Sequence, residues 1–542
     1  MRGRDVLLEV LRSEGVRHVF GNPGSTELPL IDALAAVDDI DYVLALQEAT
    51  AVGMADGYAQ VAGRPAFLNL HTSAGLGNAV GNLTNAVANT TPLVVTAGQQ
   101  DRRHLHHDPL LSGDLVGLAA GVSKWARETS TIHELGTVLR RAFHDAAAPP
   151  QGPVFVSLPM DVLEEEHDVP VPAPSAIDRR SAPPHSLLVD LADRLLGATS
   201  PAIVAGDEVA HSPGGVEALA AVAERLGCPV YGSPLHSNVV FPSAHPLWVQ
   251  ALPPSADAIG KLLSQHDVVL LVGGRAFMVY PWSPGPAVPE SVQLLHLSPD
   301  PYQLGRAWPV ALGLTGDPGA SLEALAPLLP DPVDLAAKEA ERAERVARFE
   351  QKALGLYDEV PMPPAAAVHA LLRALPPDVL VVDEAITTGA HVRGYHHTSR
   401  PGRYFFCRGG GLGWGMPAAC GVSLGTDRAE PVLCVVGDGS TMYSPQALWT
   451  AARERLPVVF AVVDNRQYLI LKGYLRSMQG ETVRTGRFVA MDLDDPTLDF
   501  CSLATSMGVP STLVEKAGDV GDAVRAAVDA GGPHLLHLPI AG

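Results

Sequence analysis

Two short polar signals carry the first chemistry in this sequence. Gly437-Asp438-Gly439 ends the apolar run Val432–Val436, and Asp464-Asn465 ends the next, Val458–Val463. Between them Ser444 to Leu456 has helical spacing, with Ala447, Leu448, Ala451 and Ala452 on one face. Strand, helix and strand within about 30 residues predict a βαβ unit with parallel strands. Asp438 and Asn465 then lie beyond the carboxyl ends of those strands, where open α/β sheets bind ligands. A carboxylate, an amide oxygen and a loop carbonyl are hard ligands. They suit Mg²⁺, which takes the rest of its shell from phosphate and water. The flanking glycines let backbone N–H groups approach a phosphate. Taken alone, Asp-Gly after a strand is also an ordinary turn.

Glu48 is the second candidate. It follows the predicted strand Tyr42–Leu46 and precedes ATAVGMADGYAQVAG, a small-residue helix that should pack closely. A carboxyl there is poorly solvated, which suits a hydrogen bond to a ring nitrogen. The alternative is an acid complementing the helix dipole.

These positions need a scaffold. Residues 1 to about 165 alternate helices with apolar strands (His18–Phe20, Tyr42–Leu46, Ala66–Leu70, Leu93–Ala97, Val154–Ser157), a doubly wound α/β pattern. The Pro-rich stretch Asp168–Ser186 reads as a linker. A second α/β region has strands at Ala202–Ala205, Val268–Val272 and Gln293–Leu297, followed by a solvated Ala-, Glu- and Arg-rich helix over Leu335–Leu356. A third α/β region completes the chain. The expected domains are 1–167, 187–330 and 357–542.

The totals exclude some partners. Net charge is −21, which argues against nucleic acid and anionic membrane. Five scattered cysteines, never in CxxC, read as free thiols in a reducing compartment. The N-terminus reads as an amphipathic helix rather than a signal peptide, and no apolar run reaches 18 residues, so a cytoplasmic protein is expected. Gly75-x-Gly77-x-x-x-Gly81 nearly matches a dinucleotide motif, but Ala97-Gly98-Gln99 stands where an acidic strand end is needed.

The Gly-Asp-Gly motif, 24 residues (440–463) and then Asp-Asn resemble the diphosphate and metal motif of thiamine diphosphate enzymes. FGNPGSTELP, LALQEA, NLHTSAGLGNAVGNL, GGGLGWGMPAA and YSPQALWTAA resemble the benzoylformate decarboxylase family. The resemblance implies pyrimidine-binding, middle and diphosphate-binding α/β domains. It implies thiamine diphosphate with Mg²⁺, the metal being held by Asp438, Asn465 and the main-chain oxygen of Gln467. Glu48 would hydrogen-bond the aminopyrimidine ring. Ser25 would hold the substrate carboxylate and His71 would relay protons. Otherwise Ser25 is a turn residue and His71 a satisfied core histidine. Leu412 would bend the cofactor, and Gly410 would offer it a carbonyl; the bland reading of Gly409–Gly415 is a flexible loop. Asn22, Thr387, Gly437, Gly439, Ser440, Tyr468, Leu469 and Ile470 complete the implied cofactor contacts. Leu111, Tyr280, Ile386, Ile470 and Tyr474 complete the substrate pocket.

The resemblance implies decarboxylation of a 2-oxo acid, with carboligation on the side, by a homotetramer built as a dimer of dimers whose paired subunits share each cofactor. Several positions depart from the family pattern. Asp464 replaces Asn, Tyr280 a histidine, Ile470 a small residue, Tyr474 a phenylalanine and Ile386 a threonine. Two other readings follow: an acetolactate synthase-type or lyase-type carboligase, and a cofactor-binding subunit without turnover. An FAD site in the middle domain, as in acetohydroxyacid synthases, is left open.

Overall fold

The central apolar β-branched runs form buried parallel strands, the pattern of sheets covered by helices on both faces. In the computed structural model, which describes residues 1–275 and 277–542, the strands form three parallel sheets. The first has the order Asp41–Leu44, His18–Gly21, Ala66–Leu70, Leu93–Gln99, Val154–Pro159, Ala126–Glu128. The second has the order Leu312–Thr315, Gln293–Ser298, Val268–Val272, Pro201–Ala205, Val230–Gly232, Trp248–Ala251. The third contains Leu380–Glu384, Val432–Gly437, Val458–Asp464, His534–Pro539 and Ser511–Leu513, in that order. The α/β class expected from sequence is therefore the class observed.

The chain falls into two compact units. One comprises Met1–Ala176, Leu356–Arg393 and Gly409–Gly542, and so holds the first and third sheets together. Its tightest helix contact joins Glu48–Ala62 to Gly415–Gly425. Glycines make this approach possible: a Cβ on Gly57 would fall 2.2 Å from the Ala418 carbonyl, and one on Gly421 1.9 Å from that of Met54. The small-residue helix after Glu48 packs as closely as its composition predicts.

The other unit comprises Ile177–Gly355 and Gly394–Arg408. Its second segment is tied in by the Phe406 N–H, which donates to the Ser237 carbonyl (3.0 Å), and by a buried Arg408–Asp207 ion pair (2.7 Å). The connecting helix spans Ala336–Leu354, two residues shorter at its C-terminal end than expected, and buries only Ala353. Among the described residues no helix is long and apolar enough to cross a membrane.

Candidate active site

The strand register brings the first pair of signals together. Gly437 pairs with Val463 in parallel, so the next residues, Asp438 and Asp464, are neighbours at the carboxyl edge of the sheet. A cleft opens there. Ile386, Thr387, Leu412, Gly437, Asp438, Gly439, Ser440, Asn465, Gln467, Tyr468, Leu469 and Ile470 all line it, and Ala385, Thr388 and Val463 join them. The helix expected from Ser444 to Leu456 is shorter, Gln446–Glu454; Pro445 sits at its N-cap and Arg455, in the left-handed region, ends it.

Asp438 is buried. Its Oδ1 accepts the Gly439 N–H (2.8 Å), while Oδ2 is buried with no donor facing it. Burial and the adjacent Asp464 push the Asp438 carboxyl up to about 6. Burial also opposes ionisation of Asp464, but the His537 Nε2–H bond (2.9 Å), the neighbouring Asp438 carboxyl and the Arg466 N–H bond (2.9 Å) outweigh it. They hold Asp464 below the usual carboxylate range. The departure at position 464 is thus matched by a specific partner, His537. An undonated oxygen on one acid beside a second, ionised acid is a donor set suited to a hard cation. Among the described residues no three His, Cys, Asp or Glu side chains gather to hold a metal by themselves. A cation here would draw further oxygens from outside the protein, as Mg²⁺ on a diphosphate does.

The strand expected over Tyr42–Leu46 spans Asp41–Leu44. Gln47 becomes the N-cap, its side chain accepting the Thr50 N–H (3.0 Å), so Glu48 opens the helix Glu48–Ala62. Glu48 is nonetheless buried, at 7% exposure. Its two oxygens accept from Asn22 Nδ2 (3.2 Å) and Asn78 Nδ2 (3.0 Å). His71 caps the helix Thr72–Asn89 at the end of strand Ala66–Leu70. Its Nδ1 meets Glu27 Oε2 (2.8 Å). Ser25 is exposed at the start of the short turn Ser25–Glu27. The Leu111 carbonyl accepts from Ser73 (3.3 Å).

These N-terminal residues form their own cluster. None of Asn22, Ser25, Glu48, His71 or Leu111 lines the Asp438 cleft of the same chain. Gly410, in the left-handed region, does not line it either. Tyr474 is half-buried on the helix Leu469–Met478, and Tyr280, in the second unit, is 60% exposed.

Two functional candidates were missed in the sequence. Glu27, 1% exposed, also accepts the Gly24 and Gly98 N–H groups (2.9 and 3.0 Å) and so fixes the Ser25 turn and His71 together. Glu384 is fully buried, and burial pushes its carboxyl up to about 7 although the Gly413, Trp414 and Gly415 N–H groups all bond to it. Its signal was available: the apolar run Leu380–Val382 ends in two acids, the mark of a buried strand with polar residues at its carboxyl edge.

Comparison with known proteins supplies the class. Three models match in order: the thiamine pyrophosphate enzyme N-terminal TPP binding domain over residues 1–118, the central domain over 188–325 and the C-terminal TPP binding domain over 387–538. This chain belongs to the thiamine diphosphate-dependent decarboxylase and acetolactate synthase family. Within it the chain is similar along its length to benzoylformate decarboxylase of Pseudomonas aeruginosa, 34% identical over 98% of this chain and 97% of the relative. Acetolactate synthase isozyme 3 large subunit of Escherichia coli is 28% identical over 87% of this chain and 83% of its own. The crystal structure of benzoylformate decarboxylase from Polynucleobacter necessarius superposes with a TM-score of 0.90 at 31% identity, covering 100% of this chain and 98% of that one.

Proposed function

We propose that this protein is a thiamine diphosphate- and Mg²⁺-dependent 2-oxo acid decarboxylase that releases an aldehyde and CO₂, with carboligation as a side activity. When bound, the cofactor supplies a carbon nucleophile for the 2-oxo carbon and a sink for the electrons left by CO₂. Asp438, Asn465 and the Gln467 carbonyl would hold the metal. Leu412 would bend the cofactor, and Glu48 would hydrogen-bond its pyrimidine ring.

The observation that carries the decarboxylase reading is the Ser25–Glu27–His71 constellation. Glu27 accepts at His71 Nδ1, which leaves Nε2 as the nitrogen that takes and returns protons. Ser25, exposed beside this pair in sequence, would donate to the substrate carboxylate. Because Glu48 does not line the Asp438 cleft of its own chain, the reading takes two copies, each completing the other's cleft; a tetramer would be two such dimers. A cytoplasmic location accords with free, mostly buried cysteines.

The similarity to an acetolactate synthase large subunit over 87% of this chain favours a second reading, in which a second carbonyl compound traps the reacting carbon. One experiment separates them. Purified protein with thiamine diphosphate and Mg²⁺ is given benzoylformate, 4-hydroxybenzoylformate, pyruvate and 2-oxobutanoate singly, and CO₂ and products are measured. Free aldehyde as the main product supports the decarboxylase. A 2-hydroxyketone or acetolactate as the main product supports the carboligase. No CO₂ from any of them would overturn both.

A further inference from the structure

The helix Thr72–Asn89 carries asparagine at 78, 82, 85 and 89, one face at helical spacing. Asparagine is a weak helix former, and an unpaired buried amide is costly. Asn82, Asn85 and Asn89 are nonetheless buried. Two of them reach the Gly409–Gly415 loop. Asn85 Nδ2 donates to the Gly411 carbonyl (2.9 Å) and its Oδ1 accepts the Gly411 N–H (3.0 Å). Asn82 Oδ1 steadies the same amide (2.8 Å). Glycine is needed for the approach: a Cβ on Gly409 would fall 2.3 Å from Asn85 Oδ1, and one on Gly411 2.9 Å.

The next residues are clamped from other sides. The Gly413 carbonyl accepts from Ser444 Oγ (2.6 Å), Glu384 takes the N–H groups of Gly413 to Gly415 (2.7 to 3.1 Å), and the Trp414 indole donates to Asp56 (2.7 Å). Gly410 and Leu412 take no part in these bonds. The clamps fall on Gly411 and on Gly413 to Gly415, on either side of Leu412, and leave out the two residues that the proposed function turns toward the cofactor.

We infer that Asn85 is a positioning residue: by gripping both polar groups of Gly411 it sets Leu412 against the cofactor. The inference rests on the reading of Leu412 as the residue that bends the cofactor. Asn85→Ala removes both bonds. Asn85→Asp keeps the size and the acceptor but sets a carboxylate oxygen against the Gly411 carbonyl.

Three quantities are measured for each variant: amide hydrogen exchange over Gly409–Gly415 in the cofactor-free protein, thiamine diphosphate Kd by fluorescence quenching, and kcat on the panel's best 2-oxo acid. Exchange should speed up in that segment. The Kd should change less than about threefold, since the Asp438 donors are untouched, while kcat falls by about 10- to 100-fold, the scale of a small misplacement near a reacting centre. Adding Leu412→Ala to Asn85→Ala should cost no more than Leu412→Ala alone, because both act through one side chain. Full kcat in both Asn85 variants, unchanged exchange, or an additive double variant would overturn the inference. Full rate in Leu412→Ala with faster exchange in Asn85→Ala would instead remove the reading of Leu412, and the inference with it.

Discussion

The two halves of the proposed site are built on opposite principles. In the N-terminal cluster both acids are satisfied: Glu48 accepts from two asparagines, and Glu27 from two backbone N–H groups and His71. In the C-terminal cleft the nearest acids crowd, and Asp438 keeps a buried oxygen with no donor. A satisfied network fixes geometry, which proton transfer and substrate orientation need. A crowded pair of acids favours a cation, which a diphosphate site needs. The contrast teaches which half supplies precision and which supplies charge.

The largest expected effect tests the precise half. Glu48→Gln should lower kcat by at least about 100-fold, the scale of a lost acid–base group, with thiamine diphosphate Kd changed far less. Equal rates for variant and wild type, read by CO₂ release, would break the comparison at its centre. Asp438→Ala attacks the charged half. Thiamine diphosphate affinity should lose its Mg²⁺ dependence, measured by titration at several Mg²⁺ concentrations, whereas Glu48→Gln should keep it.

How much of this was legible depends on sequence distance. Asp438 and Asn465 were readable because a strand end and its polar residue are adjacent in the chain. Glu48 was readable for the same reason, although its strand ends two residues sooner than expected; the strand it pairs with, His18–Gly21, ends at Gly21 opposite Leu44. Glu27 escaped because its meaning lies in His71, 44 residues away. Asn85 escaped because Gly411 is 326 residues away, and nothing local announces that contact. The bland reading of the Gly409–Gly415 run is a flexible loop, yet Gly411 and Gly413 to Gly415 are all hydrogen-bonded to side chains, since glycine there admits partners rather than motion.

A smaller effect concerns stability. The folded pKa of Glu384, about 7, lies above the ordinary glutamate value, so the folded state holds a proton that the unfolded chain releases. That stabilisation is complete below about pH 4.5 and is lost as pH rises through about 7. Cofactor-free protein should therefore unfold at lower temperature as pH climbs from 5.5 to 7.5, with Glu384 supplying a slope of up to about 1.4 kcal/mol per pH unit. Asp438 adds to the same trend. Glu384→Gln should flatten the curve partly, and an unchanged slope in calorimetry would contradict the assignment.

The smallest effect is on selectivity. Ile470 lines the cleft at the start of the helix Leu469–Met478, where its β-branched side chain is stiff. Ile470→Ala should raise kcat/KM for benzoylformate more than for 2-oxobutanoate, by about 10-fold or more on the scale of pocket discrimination. Equal changes for both acids would place Ile470 outside the substrate wall.

The most direct test of the account joins the two halves. Glu48→Gln and Asp438→Ala chains, each inactive alone, are co-expressed with different tags, and the mixed assembly is isolated and assayed for CO₂ release with thiamine diphosphate and Mg²⁺. If each cleft is completed by another copy, one site in the mixed pair has both wild-type halves, and roughly half the wild-type rate per pair should return. A mixed assembly as inactive as its parents would show that the halves do not combine between chains.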